Sequence, residues 1–173
     1  MRRRLSSSGF TVVEMMVVVV VVAVLLALAV PSFTDLLARQ RLAAAGAELA
    51  SNLQLARSEA LQRQQQIGVA FSPADACYVV YPMKAADGCD CRTHLCDVGM
   101  KPIKFTTLEP AWAIHLSTTA PVLQLVPDRG APVAAVSVTL THGRAGSLVV
   151  TMAPSGSVSA CANGAPLGSL PTC

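Results

Sequence analysis

Phe10-Thr11-Val12-Val13-Glu14-Met15-Met16, continued by six valines from Val17 to Val22 and then by Ala23-Val24-Leu25-Leu26-Ala27-Leu28-Ala29-Val30-Pro31, is the stretch that decides the fold. No residue from Met15 to Thr34 is charged. At ~1.5 Å of rise per residue, about twenty helical residues span ~30 Å, the thickness of one bilayer core. Valine is a mediocre helix former in water. In lipid, however, every backbone group must be satisfied within the segment, and this forces a helix. Ahead of it, Met1-Arg2-Arg3-Arg4-Leu5-Ser6-Ser7-Ser8-Gly9 holds three arginines and no acid, which favours an amino terminus kept in the cytoplasm.

Three kinds of N-terminal segment fit such a run. A secretory signal peptide would be cut after the small residues of Ala27-Leu28-Ala29. A plain anchor would not be cut. A leader of the third kind is cut before the apolar run. Glu14 separates them, because a carboxylate in a membrane helix costs about 2.5–3.5 kcal/mol near the centre on insertion scales, and less near the edge. Neither of the first two gives that cost a use.

The basic, serine-rich head ending in Gly9, Phe10 after it, Glu14 fifth from the cut and Pro31 midway along the helix together resemble the class III leader of type IV pilins and pseudopilins. The resemblance implies cleavage between Gly9 and Phe10 by a prepilin peptidase, with N-methylation of Phe10. It also implies that Glu14 pairs with an N-terminal amine, that of a neighbouring subunit, inside the filament. Two opposite charges in hydrocarbon are each costly alone and neutralise one another together.

Beyond the apolar run Pro31 removes one helix hydrogen bond, which predicts a bend rather than a stop. Asp35-Leu36-Leu37-Ala38-Arg39-Gln40-Arg41 then resumes good helix formers. Leu42, Ala45, Leu49, Leu53, Ala56 and Ala60 recur at three- and four-residue steps, one apolar stripe. Arg39, Glu48, Arg57 and Arg63 fall mostly off it, and the helix should end between Gln64 and Gly68. The run Ala56-Arg57-Ser58-Glu59-Ala60 resembles the helix of minor pilins and pseudopilins of the GspH/FimT/FimU kind, which carry it before their first strand. Arg57 and Glu59 are read as solvated helix residues.

From Ile67 the period changes. Val69–Phe71, Cys77–Tyr81, Ile103–Phe105, Ala113–Leu116 and Val122–Val126 are short apolar runs separated by Pro, Gly and Asp. Val136–Thr141 alternates strictly, as a strand with one buried face does, and Leu148–Met152 precedes a Pro154-Ser155-Gly156 turn. Strands after one long helix, with no helices between them, predict an α+β fold with an antiparallel sheet packed on that helix. The expected organisation is a cleaved leader over 1–9, a transmembrane or filament-core helix over 10–37, an amphipathic spine over 38–66 and a β-rich head over 67–173.

Composition narrows the function. Of 173 residues only 13% are charged and mean hydropathy is +0.53, which excludes a disordered chain. The net charge is +3, and without the three leader arginines ten basic residues face ten acidic ones. A globally basic nucleic-acid binder is thereby disfavoured. Six cysteines in a short chain point to an oxidising compartment. Cys89, Cys91, Cys96 and His94 admit a zinc reading, but Cys-x-Cys is tight for two tetrahedral ligands, and disulfides are expected instead. Cys161 and Cys173 are the expected pair for the Gly/Pro-rich tail. Cys77, Cys89, Cys91 and Cys96 would staple the loop between them in a pairing left open.

His94, His115 and His142 stand in no catalytic pattern with a nucleophile. Asp87, Asp90 and Asp97 lack an EF-hand spacing, and Trp112 is read as a core residue. Neither an enzyme nor a metal or other cofactor is expected. Some FimT-like pilins serve DNA uptake through a Gly-Arg-x-Arg element; here Gly143-Arg144-Ala145-Gly146 lacks the second arginine, so DNA contact through Arg144 is the weaker reading. The resemblance implies a minor type IV pilin that helps start assembly at the filament tip, or else the corresponding pseudopilin of type II secretion. It implies an inner-membrane, single-pass protein with a periplasmic head. Its partners would be other minor pilins, the major pilin, the prepilin peptidase and the inner-membrane assembly platform.

Overall fold

The structure is a computed structural model that describes residues 11–83, 88–97, 100–164, 167–168 and 170–173. The cleavage site Gly9–Phe10 and Asp87 lie outside the described residues. The backbone is helical from Val12 to Arg63 (α1, 52 residues) and continues through Pro31. The chain divides into two compact units, Met1–Leu36 and Leu37–Cys173.

The described part of the first unit is apolar helix from Val12 onward. Its described side chains are exposed, among them Val12, Met16, Val19, Leu25 and Phe33. Its hydropathy and length are those of a helix able to cross a membrane. A helix that shows apolar side chains all round is stable only where something other than water surrounds it.

In the second unit α1 continues to Arg63, and among the described residues eleven strands follow. They are β1 Ile67–Ser72, β2 Cys77–Pro82, β3 Cys89–Asp90, β4 Leu95–Cys96, β5 Lys104–Thr107, β6 Ile114–Thr118, β7 Val122–Val126, β8 Ala131–Pro132, β9 Val136–His142, β10 Gly146–Met152 and β11 Val158–Asn163. They form a five-stranded sheet in the order β5-β2-β1-β7-β8, a four-stranded sheet in the order β11-β10-β9-β6 and the small β3–β4 ribbon. Every strand pair is antiparallel.

The α+β architecture is therefore the expected one, but the head holds two principal sheets rather than one. Strand β11 escapes sequence reading because Val158-Ser159-Ala160-Cys161-Ala162-Asn163 offers little apolar bulk. It exists because its register places Ala162 against Leu148 and Val158 against Met152 on β10. Pairing decides it, not propensity.

The helix stripe is the core. Leu42, Ala45, Leu49, Leu53, Ala56 and Ala60 are all at most 1% exposed. They form one cluster with Ile67, Val69, Tyr78 and Val80 of the five-stranded sheet and with Val138, Leu140, Leu148, Val150 and Met152 of the other. Each buried leucine stabilises the fold by about 1.5–3 kcal/mol relative to exposure. Gly46 sets the approach of α1 to the four-stranded sheet: a Cβ there would meet Leu148 Cδ2 at 2.6 Å. A second, smaller cluster joins Cys77, Val79 and Tyr81, the alternate side chains of β2, to Cys91 between β3 and β4, with Met83, Cys89, Met100 and Phe105 packed on it. The excursion between β2 and β5 thus covers the opposite face of that sheet.

Candidate functional site

Of the residues that the N-terminal reading singled out, Glu14 stands in the first turn of α1 and Pro31 farther along it, while Gly9 and Phe10 lie outside the described residues. Thr11 precedes the helix, and its Oγ1 accepts the backbone N–H of Glu14 at 3.2 Å, while its carbonyl accepts that of Met15 at 3.2 Å. Thr11-Val12-Val13-Glu14 is thus a capping sequence, Thr-x-x-Glu, with the threonine satisfying one of the orphan N–H groups of the turn. Glu14 lies at the positive end of the helix dipole, which favours a carboxylate. It is the only ionisable side chain between Val12 and Thr34. The capping threonine was not foreseen, although the Thr-x-x-Glu spacing was readable.

Arg57 corrects an expectation. It is not a solvated helix residue. Its Nη1 donates to the carbonyl of Gly156 at 2.7 Å, in the turn between β10 and β11. Its aliphatic stem lies against Gly130, in the turn between β7 and β8, where a Cβ would meet Arg57 Cγ at 2.9 Å and Leu61 Cγ at 2.8 Å. Gly156 is likewise held by space and by a φ of +80°, with Arg57 Cζ 2.7 Å from where a Cβ would lie. One side chain thereby ties the helix to a turn of each large sheet. Its neighbours act locally: Ser58 Oγ donates to the Leu55 carbonyl, and Glu59 pairs with Arg63 one turn on.

Asn52 was also missed. It interrupts the apolar stripe at 3% exposure, and its Nδ2 donates to Tyr78 Oη at 2.8 Å and towards Thr106 Oγ1 at 3.3 Å. A buried amide without partners would be costly. Paired this way, it fixes the helix register on β2 and β5. Burial is the main reason that the Tyr78 hydroxyl holds its proton above the ordinary value of 10.0, with the charge of Glu48 adding to the effect. The hydrogen bonds to Asn52 and Thr106 act the other way.

The six cysteines form three disulfides: Cys77–Cys91, Cys89–Cys96 and Cys161–Cys173. Their sulfurs therefore offer no thiolate to a metal. His94 stacks on Phe105, ring centroids 4.8 Å apart. Asp90 accepts from the Arg92 N–H and the Thr93 hydroxyl, and Asp97 from the Gly88 N–H. Cys77–Cys91 is buried under the β2–β5 excursion, and Cys89–Cys96 joins directly opposed residues of β3 and β4. Cys161–Cys173 lays the tail along β11, where Ala162 N–H donates to the Pro171 carbonyl at 2.8 Å and Cys173 N–H to the Ala162 carbonyl at 3.0 Å. Trp112, in a 3-10 turn at Pro110–Trp112, packs partly buried on the main core.

Arg144 occupies the exposed turn between β9 and β10, where its backbone N–H and that of Ala145 donate to His142 Nδ1 at 3.1 and 3.3 Å. Other basic side chains of the head stand beside acids: Lys104 by Glu48, Arg92 by Asp75, Arg129 by Asp128. Such pairing leaves little net field to gather a polyanion.

Comparison with known proteins adds sequence relationships to this geometry. Residues 45–156 match the family described as type II transport protein GspH. Residues 4–30 match the prokaryotic N-terminal methylation motif. Among solved structures, the type IV minor pilin FimU of Pseudomonas aeruginosa is similar with a TM-score of 0.55 at 17% identity, covering 77% of this chain and 94% of that one. The minor pseudopilin EpsH from the type 2 secretion system of Vibrio cholerae is similar with a TM-score of 0.53 at 18% identity, covering 72% of this chain and 99% of that one. No curated protein matches the chain.

Proposed function

Because this chain belongs to the GspH family, the pilins and pseudopilins that build type IV pili and type II secretion filaments, we propose that it is a minor type IV pilin. In this reading it is a structural subunit, not an enzyme, that joins other minor pilins at the filament tip and helps start assembly. The observation that carries it is Glu14, the one ionisable side chain of a membrane-length apolar helix, set in that helix's first turn. Cleavage between Gly9 and Phe10 would put a charged, methylated amine close to this carboxylate. Within a filament the carboxylate would face the amine of the next subunit, and pairing offsets the cost of holding either charge in hydrocarbon. The apolar side chains described as exposed between Val12 and Leu36 would be covered first by the inner membrane and then by the helices of other minor pilins and the major pilin. Pro31 would supply the local give that such packing needs.

The prepilin peptidase and the assembly platform of the inner membrane are then the partners before assembly, and the head faces the periplasm. Three disulfides suit that oxidising space. The second reading is a minor pseudopilin of type II secretion, favoured by the description of the matched family. DNA capture through Arg144 is a third reading and has the least support, since ion pairs take up basic residues elsewhere on the head.

Intact-mass analysis of the protein from membranes tests the processing: the expected species begins at Phe10 and carries one added methyl group. A species beginning at Val30 would overturn the pilin reading. Deleting the gene and counting surface pili beside secreted enzymes separates the two filaments. Loss of pili with normal secretion is expected, and the reverse would assign the chain to secretion.

A further inference from the structure

Each lateral edge of a sheet is a row of unpaired N–H and C=O groups, and folded proteins blunt such edges to avoid unwanted pairing. Among the described residues, three of the four edges of the two principal sheets are blunted, each by a different device. Strand β5 carries Lys104, paired with Glu48 at 3.7 Å. Strand β8 is two residues long and ends in Pro132, which has no N–H to offer. Strand β11 is covered by the chain's own tail through the parallel bridge of Ala162 to Thr172, and the Cys161–Cys173 disulfide latches it there.

The fourth edge is β6, Ile114-His115-Leu116-Ser117-Thr118. It has five residues, no proline, and neither an acid nor a lysine or arginine. Among the described residues, its backbone hydrogen bonds run to β9 alone. Ile114 and Leu116 are buried towards the helix, while His115 and Ser117 are exposed on the outer face. Beside them in register stand Thr141 and Thr139 of β9, so that face carries hydroxyls without a carboxylate or ammonium group.

We propose that β6 is a docking edge to which a partner protein adds an extended strand, enlarging the four-stranded sheet by main-chain pairing. The chemistry of the edge specifies the occupant. Its side chains should alternate, apolar ones continuing the row of Ile114 and Leu116 and hydroxyl ones continuing the row of His115 and Ser117. It should be uncharged over this length, because the edge offers no counter-charge and a desolvated charge would go unpaired. The inference does not rest on whether the filament is a pilus or a secretion pseudopilus.

The test uses the full chain in detergent micelles and a fluorescent peptide of alternating threonine and valine. Fluorescence anisotropy should show saturable binding, and hydrogen exchange should slow at the amides of Ile114–Thr118. Ser117→Glu should weaken binding by about tenfold or more, as an unpaired charge at a pairing edge does. A peptide with one threonine changed to lysine should recover much of that loss on the Ser117→Glu protein, a charge-specific rescue that mere destabilisation would not give. Ser159→Glu, on the tail-covered edge, should leave binding unchanged. Failure to bind, protection at β5 or β11 instead, or binding indifferent to Ser117→Glu would overturn the proposal. Concentration-dependent protection of the same amides without peptide would assign the edge to a second copy of the chain and overturn it equally.

Discussion

The guanidinium of Arg57 donates to the carbonyl of Gly156 across 99 positions of sequence, at 2.7 Å. Arg57 stands near the end of the helix and Gly156 in the turn between β10 and β11. The bond ties the spine to a turn of the four-stranded sheet, in addition to the packed core, while the stem of the same side chain rests on Gly130 in a turn of the other sheet.

Arg57→Ala should therefore destabilise the head by about 1–3 kcal/mol, losing both a charge-assisted bond to a carbonyl and the packing of the stem. Arg57→Lys should recover only part, since lysine keeps a stem but not the planar fork. Thermal melting of the full-length protein in detergent measures both. A loss no greater than that of an exposed arginine would show that the contact contributes nothing.

Asn52→Leu should cost about 1–3 kcal/mol even though leucine suits the stripe, because the Tyr78 hydroxyl and Thr106 lose a buried partner. Adding Tyr78→Phe should restore part of the loss. A double-mutant cycle between the two positions should give a coupling of about 0.5–3 kcal/mol. Strict additivity would mean that the amide and phenol do not interact.

The stability of the head should decline in alkali. Folding raises the Tyr78 value above 10.0, so the folded state holds this proton more tightly than the unfolded chain does. The associated stability is fully present below pH 10.0 and is lost as pH rises through the folded value. Burial raises Tyr81 in the same direction, so Tyr78→Phe should flatten the decline without abolishing it. Denaturant titrations at successive pH values, with phenolate absorbance alongside, follow the effect.

Glu14→Ala should still reach the membrane, and insert more readily, since a carboxylate is gone from the apolar helix. Crosslinking to neighbouring filament subunits should drop. Glu14→Gln separates two roles of the side chain: it retains a polar group suited to the capping sequence that Thr11 begins, but has no charge for an amine. Equal crosslinking by Glu14→Gln and the unaltered chain would leave capping as the sole role.

Replacing both Cys161 and Cys173 by serine should free the tail from β11. Amide exchange at Ala162 and Cys173 should accelerate, and the head should lose about 2–4 kcal/mol, the usual worth of a disulfide. Unchanged exchange would mean that the tail stays on β11 by its hydrogen bonds alone.

The sequence by itself determined the helix and its division of labour. An uncharged run of membrane length and a stripe from Leu42 to Ala60 are periodic signals, carried by residues within a few turns of one another. The strands with strong alternation, such as Val136–His142, were legible for the same reason. Only the tertiary structure decided what depends on residues far apart. It split the strands into two sheets and made Val158–Asn163 a strand by pairing. It put Asn52 on Tyr78 and turned Arg57 from a surface residue into a tie between sheets. It also chose one set of disulfides among fifteen possible pairings. Local periodicity reports which way a side chain faces. Which partner it meets there depends on loop closure and register, and these are properties of the folded chain as a whole.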